Sequence, residues 1–437
     1  MGKWKTVLLA VFILAVAVFG VYRWRVGSNI DAAKQRMRDA GLPVTYAELD
    51  AYYKVPESGE NRAYLLQFAI DSMVAVHPRM LDDLPIAGNS DLPHRSEPIS
   101  EEQVVAMRTF ALQNLDVVDA VFESFEYDEC RFPIDMNAGP AMLLPHLAQV
   151  RSLARVLSIR AILAALNDDS EAAANMVIGI MDLADSLEKE PILISQLVRI
   201  AIYGIGLSAL EQAMNRVDFS DDQLERLQKR MIEAEQNRAF VQGFIGDRCM
   251  WTVIENIGFQ QGDIDPQKLW FDLVYRPTGM MDMDGLQYYT AFEDIITACD
   301  LPVQDQTAAG EAISNRTEQG GFRGSMTAIY VPAMARAIDA DVRNRAYLRT
   351  VTVALAAARY KAEQGEYPES ADALTPDYLE TIPIDPSGGA AIQYRNLDDG
   401  FVAYSLAQNG TDEGGEELED QRFWREGDLT FTVEHEE

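Results

Sequence analysis

RNRAYLRTVTVALAAARYKAEQGEYPES, Arg343–Ser370, is a helical pattern that carries its own stop signal. Tyr347, Val351, Ala354, Leu355 and Ala358 fall at three- and four-residue steps, with Tyr360 at the end, and line one face of a predicted helix. Gly365, directly after the periodic run, can take the left-handed conformation of a helix C-terminus, and Pro368 keeps the helix from resuming. The next segment, DYLETIPIDPSGGAAIQYRNLDDGFVAYSLAQNGTDEGG (Asp377–Gly415), is turn-rich. It predicts two strands, Ala391–Arg395 and Gly400–Ser405, joined by a loop with Asp398, Asp399 and Gly400. Residues 341–437 therefore read as a small α+β module, a long helix against a short antiparallel sheet.

Working outward, the N-terminus MGKWKTVLLAVFILAVAVFGVYRWRV holds an uncharged apolar run from Thr6 to Tyr22. Trp4 and Trp24 bracket it, with basic residues on both sides, as interface anchors of a spanning helix do. Residues 1–27 are read as a membrane anchor or signal-anchor. Ala15-Val16-Ala17 offers the alternative of a signal-peptide cleavage site, but cutting there would leave further apolar chain on the mature end. After it, a helix through Ala33, Met37 and Ala40 is expected to end near Gly41.

Residues 28–340 read as an α-helical domain. ISEEQV (Ile99–Val104) and FSDDQL (Phe219–Leu224) share one device, with Ser100 and Ser220 as N-caps and Gln103 and Gln223 as capping-box partners. Between them Met142–Pro191 predicts a helical hairpin turning at Asn167–Ser170, with Ser170 as N-cap of the second helix. Ile192–Met214 continues it, with Ala201, Gly204, Ala209 and Ala213 permitting close helix contacts. Arg151, Arg155, Arg160 and Arg199 punctuate apolar faces and are expected to pair with acids on neighbouring helices. Mainly α, as an irregular bundle or short solenoid, is the expected fold class. DMDG, Asp282–Gly285, is not an EF-hand, because the loop's first and twelfth positions would be Met280 and Ala291.

The formal net charge of −32 repels nucleic-acid phosphates and anionic membrane surfaces, which excludes nucleic-acid partners. Cys130, Cys249 and Cys299 form no CxxC pair, and His77, His94, His146 and His435 lie far apart, so neither a zinc centre nor a histidine site is written locally. His146 falls in a helical pattern and reads as a buried, satisfied histidine. No GxSxG, HExxH or SxxK motif is present.

The order Gly365-Tyr367-Pro368, then Tyr378, Leu379, Pro383, Asp385 and Pro386, then Tyr394, Ser405, Leu406, Gly410, Asp420 and Trp424, resembles the globular part of the major pseudopilin of type II secretion systems. The resemblance covers residues 343–424. It implies an extracytoplasmic module whose loop after the last strand binds calcium. The positions it implies are the Leu406 carbonyl, Asn409 in place of the family's Asp, and Asp420, with Asp412 and Glu416 as spare oxygen donors. The family's leader has no counterpart: Gly2 is followed by Lys-Trp-Lys, and the apolar run lacks the assembly glutamate. The middle region weakly resembles paired-helix arrays of the tetratricopeptide type, without their signature residues.

Two functional classes follow. The first is a non-enzymatic scaffold in the cytoplasmic (inner) membrane, a single-pass protein with its main domain outside and with protein partners in the cell envelope. The second is an extracytoplasmic hydrolase or ligand receptor with a site between residues 240 and 324, where aromatics, acids and glycines gather.

Overall fold

The computed structural model describes residues 3–57, 59–95, 97–256, 270–320, 326–387, 389–406, 408, 410–416 and 427–434. The chain is mainly helical, with a three-stranded antiparallel sheet near the C-terminus and an apolar N-terminal helix. That first helix, α1 (Lys3–Asp39), joins the apolar run and the helix expected after it into one unbroken rod. Its stretch from Val7 to Tyr22 is exposed all round and spans about 24 Å at the helical rise. The helix as a whole is long and apolar enough to cross a membrane. The other end packs on the body through Ile30, Ala33 and Met37, and the chain turns away at Gly41, φ +73°.

The body is built first on α6 (Pro145–Ala165), α7 (Ser170–Asp185) and α8 (Leu193–Met214), which pack on one another. Helix α8 is also apolar enough to cross a membrane, but more than half of it is buried among its neighbours, and it serves as a core helix. Both predicted capping boxes form, at Ser100/Gln103 and Ser220/Gln223, and start α4 (Glu101–Gln113) and α9 (Asp221–Gln236). At the α6–α7 turn the cap differs from expectation. Asp168 takes a left-handed φ of +57°, and the Asp169 side chain accepts from Ala172 N at 3.0 Å, leaving Ser170 as the first helical residue.

The helical pattern that begins at Arg343 is the end of a much longer helix, Met326–Gln364. With α10 (Phe240–Asp247), α11 (Met250–Ile254), α12 (Met280–Ala298) and α13 (Val303–Gly320) in sequence before it, this helix is α14. It crosses position 341 without interruption. Its first half lies in a core with Ile30, Trp251, Tyr288 and Phe292, and its second half lies in the main core. Residues 350–357 are buried on every side, not on one face. Helix α9 packs one side and the sheet another, and Ala354, Ala356 and Ala357 leave room for both. Thr350 and Thr352 hide their hydroxyls on the carbonyls of Ala346 and Leu348. Gly365 ends the helix at φ +85°.

The sheet runs β1 (Gln393–Leu397), β2 (Gly400–Ser405), β3 (Leu429–Glu434), all antiparallel. The first strand starts two residues later than expected, and β3 was not foreseen. Strand β3 is an edge, and α8 covers it. Thr432 N donates to Glu211 Oε1 (2.8 Å), Asn215 Nδ2 donates to Thr432 O (2.8 Å), and Glu434 N donates to Asn215 Oδ1 (2.7 Å). Sheet residues Phe401, Ala403, Phe431 and Val433 belong to the same core as the helices.

Candidate functional site

Two places gather polar chemistry. At the C-terminal end, Asp385 is fully buried and accepts from Ser387 N, Ser405 Oγ and Leu406 N at 2.7–2.9 Å. Burial pushes its carboxyl up, while these three donors pull it back. The residue fixes the exit of β2, so the backbone at Leu406 is held, and the Leu406 carbonyl accepts from Ser405 Oγ at 3.3 Å. Asp412 accepts from Gly414 N at 2.8 Å and from the Tyr404 hydroxyl. Asn409 and Asp420 lie outside the described residues, as does Trp424, and Glu416 is exposed.

Sequence reasoning missed Asp428 and Glu413 here. Asp428 is buried at the start of β3, its Oδ2 accepts from Gly415 N at 2.8 Å, and its carboxyl is pushed up to about 6 by burial and by the negative charges of Glu413 and Asp412. Asp428 stands after the acidic loop, and only the β2–β3 pairing, Ser405 opposite Leu429, brings it back to Gly415. Among the described residues, no group of three or more His, Cys, Asp or Glu side chains is arranged to hold a metal ion.

The second place is a groove along α9. A cavity of about 720 Å³, lined by Tyr52, Lys54 and Lys189 among others, adjoins one of about 950 Å³ between α9, α14 and the Tyr378–Ile384 connector; Glu233, Gln236 and Arg238 line both. In the larger cavity Lys229, Arg238, Arg345, Arg349 and Arg359 face Glu225, Glu233, Glu235 and Glu380. The lining is thus balanced in charge inside a strongly acidic chain. Arg349 bridges Glu235 (2.9 Å) and the Ile384 carbonyl (2.6 Å), and Arg359 bridges Asp221 (2.8 Å) and Gln228 (2.9 Å). These forks tie α9 to α14 and make the walls stiff.

Other candidates resolve into structure. His146 Nε2 lies 3.0 Å from the Glu190 carboxylate, and the Ser195 hydroxyl bonds the same carboxylate. The acid stands between serine and histidine, so the imidazole does not reach the serine hydroxyl; all three are buried, and the group stabilises the α6–α8 contact. Burial holds the thiols of Cys130, Cys249 and Cys299 up at about 12 and so protonated at neutral pH. Arg199 pairs as expected, with Asp185 at 3.4 Å and the Tyr203 hydroxyl at 2.9 Å; Arg230 joins through the same Asp185 and also pairs with Asp182 at 2.9 Å. Arg151, Arg155 and Arg160 depart from expectation, with no ion-pair partner among the described residues. Helix α6 turns that face outward, and burial together with Arg151 pushes the Arg155 guanidinium down.

Between residues 240 and 324, the aromatics Trp251, Tyr288, Tyr289 and Phe292 pack the second core, and DMDG lies in the first turns of α12. There Asp284 caps another helix, accepting from Met326 N (2.7 Å) and Thr327 N (3.2 Å). Residues 257–269 and 321–325 of that region lie outside the described residues. Comparison with protein families, with characterised proteins and with solved structures finds no match to this chain.

Proposed function

We propose that this chain is a membrane-anchored scaffold of the cell envelope, held in the cytoplasmic membrane by α1, with its body outside. The body, an irregular bundle or short solenoid, docks a protein partner along the α9 groove. The observation that carries this reading is the groove itself: two cavities share the α9 residues Glu233, Gln236 and Arg238, and both carry cations and acids, a lining suited to a polar polypeptide segment. The buried Glu190 between His146 and Ser195 argues against a hydrolase built on that histidine. The C-terminal unit, similar in sequence order to the pseudopilin module, is a docking or stiffening element. Its loop takes calcium through the Leu406 carbonyl, Asn409, Asp412 and Asp420, and the negative charges of Glu413 and Asp412 beside Asp428 favour a nearby cation.

A photo-crosslinking residue placed at Lys229 or Glu380 in living cells should capture the same protein, while one at exposed Asp119 should not. Equal capture at all three would remove the groove from the reading. Protease added to spheroplasts should digest the body; sparing it would reverse the topology. Calcium should raise the melting temperature of the full chain, about 2.7 kcal/mol of stabilisation at a hundredfold excess over Kd, and Asp420→Ala should abolish the rise. No shift in the intact chain retires the ion.

A further inference from the structure

We propose that the face of the body beside the exit of α1, carrying Trp270, Leu273, Val274 and Met283, sits in the interfacial layer of the bilayer that α1 crosses. The proposal rests on reading α1 as a membrane span. Depth is its first argument. The Tyr22 hydroxyl lies 2.8 Å from the Met283 sulfur, and Arg23 pairs with Asp282, so the last turn of the apolar run and the first turn of α12 are locked at one level. Arg23 passes directly over Gly279, where a Cβ would lie 2.5 Å from its Nη1. Trp24, 74% exposed, marks the same level as an aromatic interface anchor. Whatever depth Tyr22 takes in the membrane, Met283 shares.

The second argument is what this face presents. The π-helical turn Phe271–Tyr275 is held from inside, since Tyr275 is buried and its hydroxyl bonds Asp284, while the Trp270 ring lies tilted against it with centroids 5.2 Å apart. Held that way, the turn leaves Leu273 65% exposed, with Trp270, Val274 and Met283 around 40%. Apolar side chains that fixed scaffolding points outward have no core to join.

Charge is the third. Asp272 pairs with Arg276 (3.6 Å), Asp282 with Arg23, and Glu255 with Lys34 (2.7 Å). Among the described residues these three acids are each paired with a cation, which, within a chain of net charge −32, lessens the repulsion that the rest of the surface would feel from anionic headgroups. Lipid is the occupant the geometry favours over a protein, because the face is continuous with the span and set at headgroup depth.

The test uses the full chain in nanodiscs with Cys130→Ser and Cys299→Ser, and nitroxide labels placed singly at Leu273→Cys, Met283→Cys, Val16→Cys and Leu112→Cys. The two labels on the face are expected to be several-fold more accessible to oxygen than to a water-soluble nickel chelate, as at Val16, with the reverse at exposed Leu112. Chelate access at Leu273 and Met283 equal to that at Leu112, or protection from both reagents by a protein cover, overturns the proposal while Val16 stays lipid-facing. Chelate access at Val16 as well overturns the span itself.

Discussion

Asn215→Ala cuts the clamp that joins the sheet to the helical body. The amide bridges Thr432 O and Glu434 N at 2.8 and 2.7 Å. A buried group left unpaired costs about 1 to 3 kcal/mol, and a bond that water can replace costs about 1. The Thr432 carbonyl belongs to a residue only 2% exposed and falls in the first case, whereas Glu434 is half-buried and falls in the second. The expected loss is about 2 to 4 kcal/mol for the whole chain. Glu211→Gln, which keeps an acceptor for Thr432 N, should cost less than about 1 kcal/mol. Urea unfolding followed by tryptophan fluorescence and by far-UV dichroism should show one transition, shifted to lower denaturant with an unchanged slope. The reasoning fails if amides of Phe431–Glu434 exchange faster while the global midpoint stays in place. That result would make the C-terminal sheet an independent domain and the shared core incidental.

Asp284→Ala should destabilise by roughly 2 to 4 kcal/mol, since it strips a buried cap from Met326 N and Thr327 N, and Asp284→Asn should recover part of this; thermal melts would tell. Gly246→Ala should cost about 3 kcal/mol or more, because a Cβ there would lie 1.6 Å from the Pro191 carbonyl oxygen, backbone that cannot swing aside; a stability near wild type would mean α10 sits further from that carbonyl. Burial pushes the Asp247 carboxyl up from 3.8 to about 6, so the folded chain binds a proton the unfolded chain has released, and stability falls as pH rises through that window. Asp247→Asn should therefore gain on wild type by about 2 to 3 kcal/mol between pH 4 and 7, less the Leu193 N bond it weakens; a difference independent of pH would refute the assignment.

Elements with a local cause were legible in the sequence. The two capping boxes need only a serine and a glutamine three residues apart, and Gly365 needs only its own missing Cβ. Buried all-round packing of residues 350–357 was not legible, because alanines and threonines at helical spacing look the same whether one neighbour or three surround them. The cap at Asp169 was misplaced by one residue because Asp and Ser are both good caps and only the left-handed turn at Asp168 chooses between them. Strand β3 follows the acidic loop, and no turn signal ties it to β2 from so far away.

By itself, the amino-acid order determined an apolar N-terminal helix, a mainly helical body and a helix-plus-sheet end, since periodicity and end signals act over a few residues. The fold alone decided that Asp428 would face Gly415, that α8 would cover the open edge of β3, and that Tyr22 would meet Met283. Those contacts join segments far apart in the chain, where proximity is set by which surfaces bury one another and not by any spacing along the sequence.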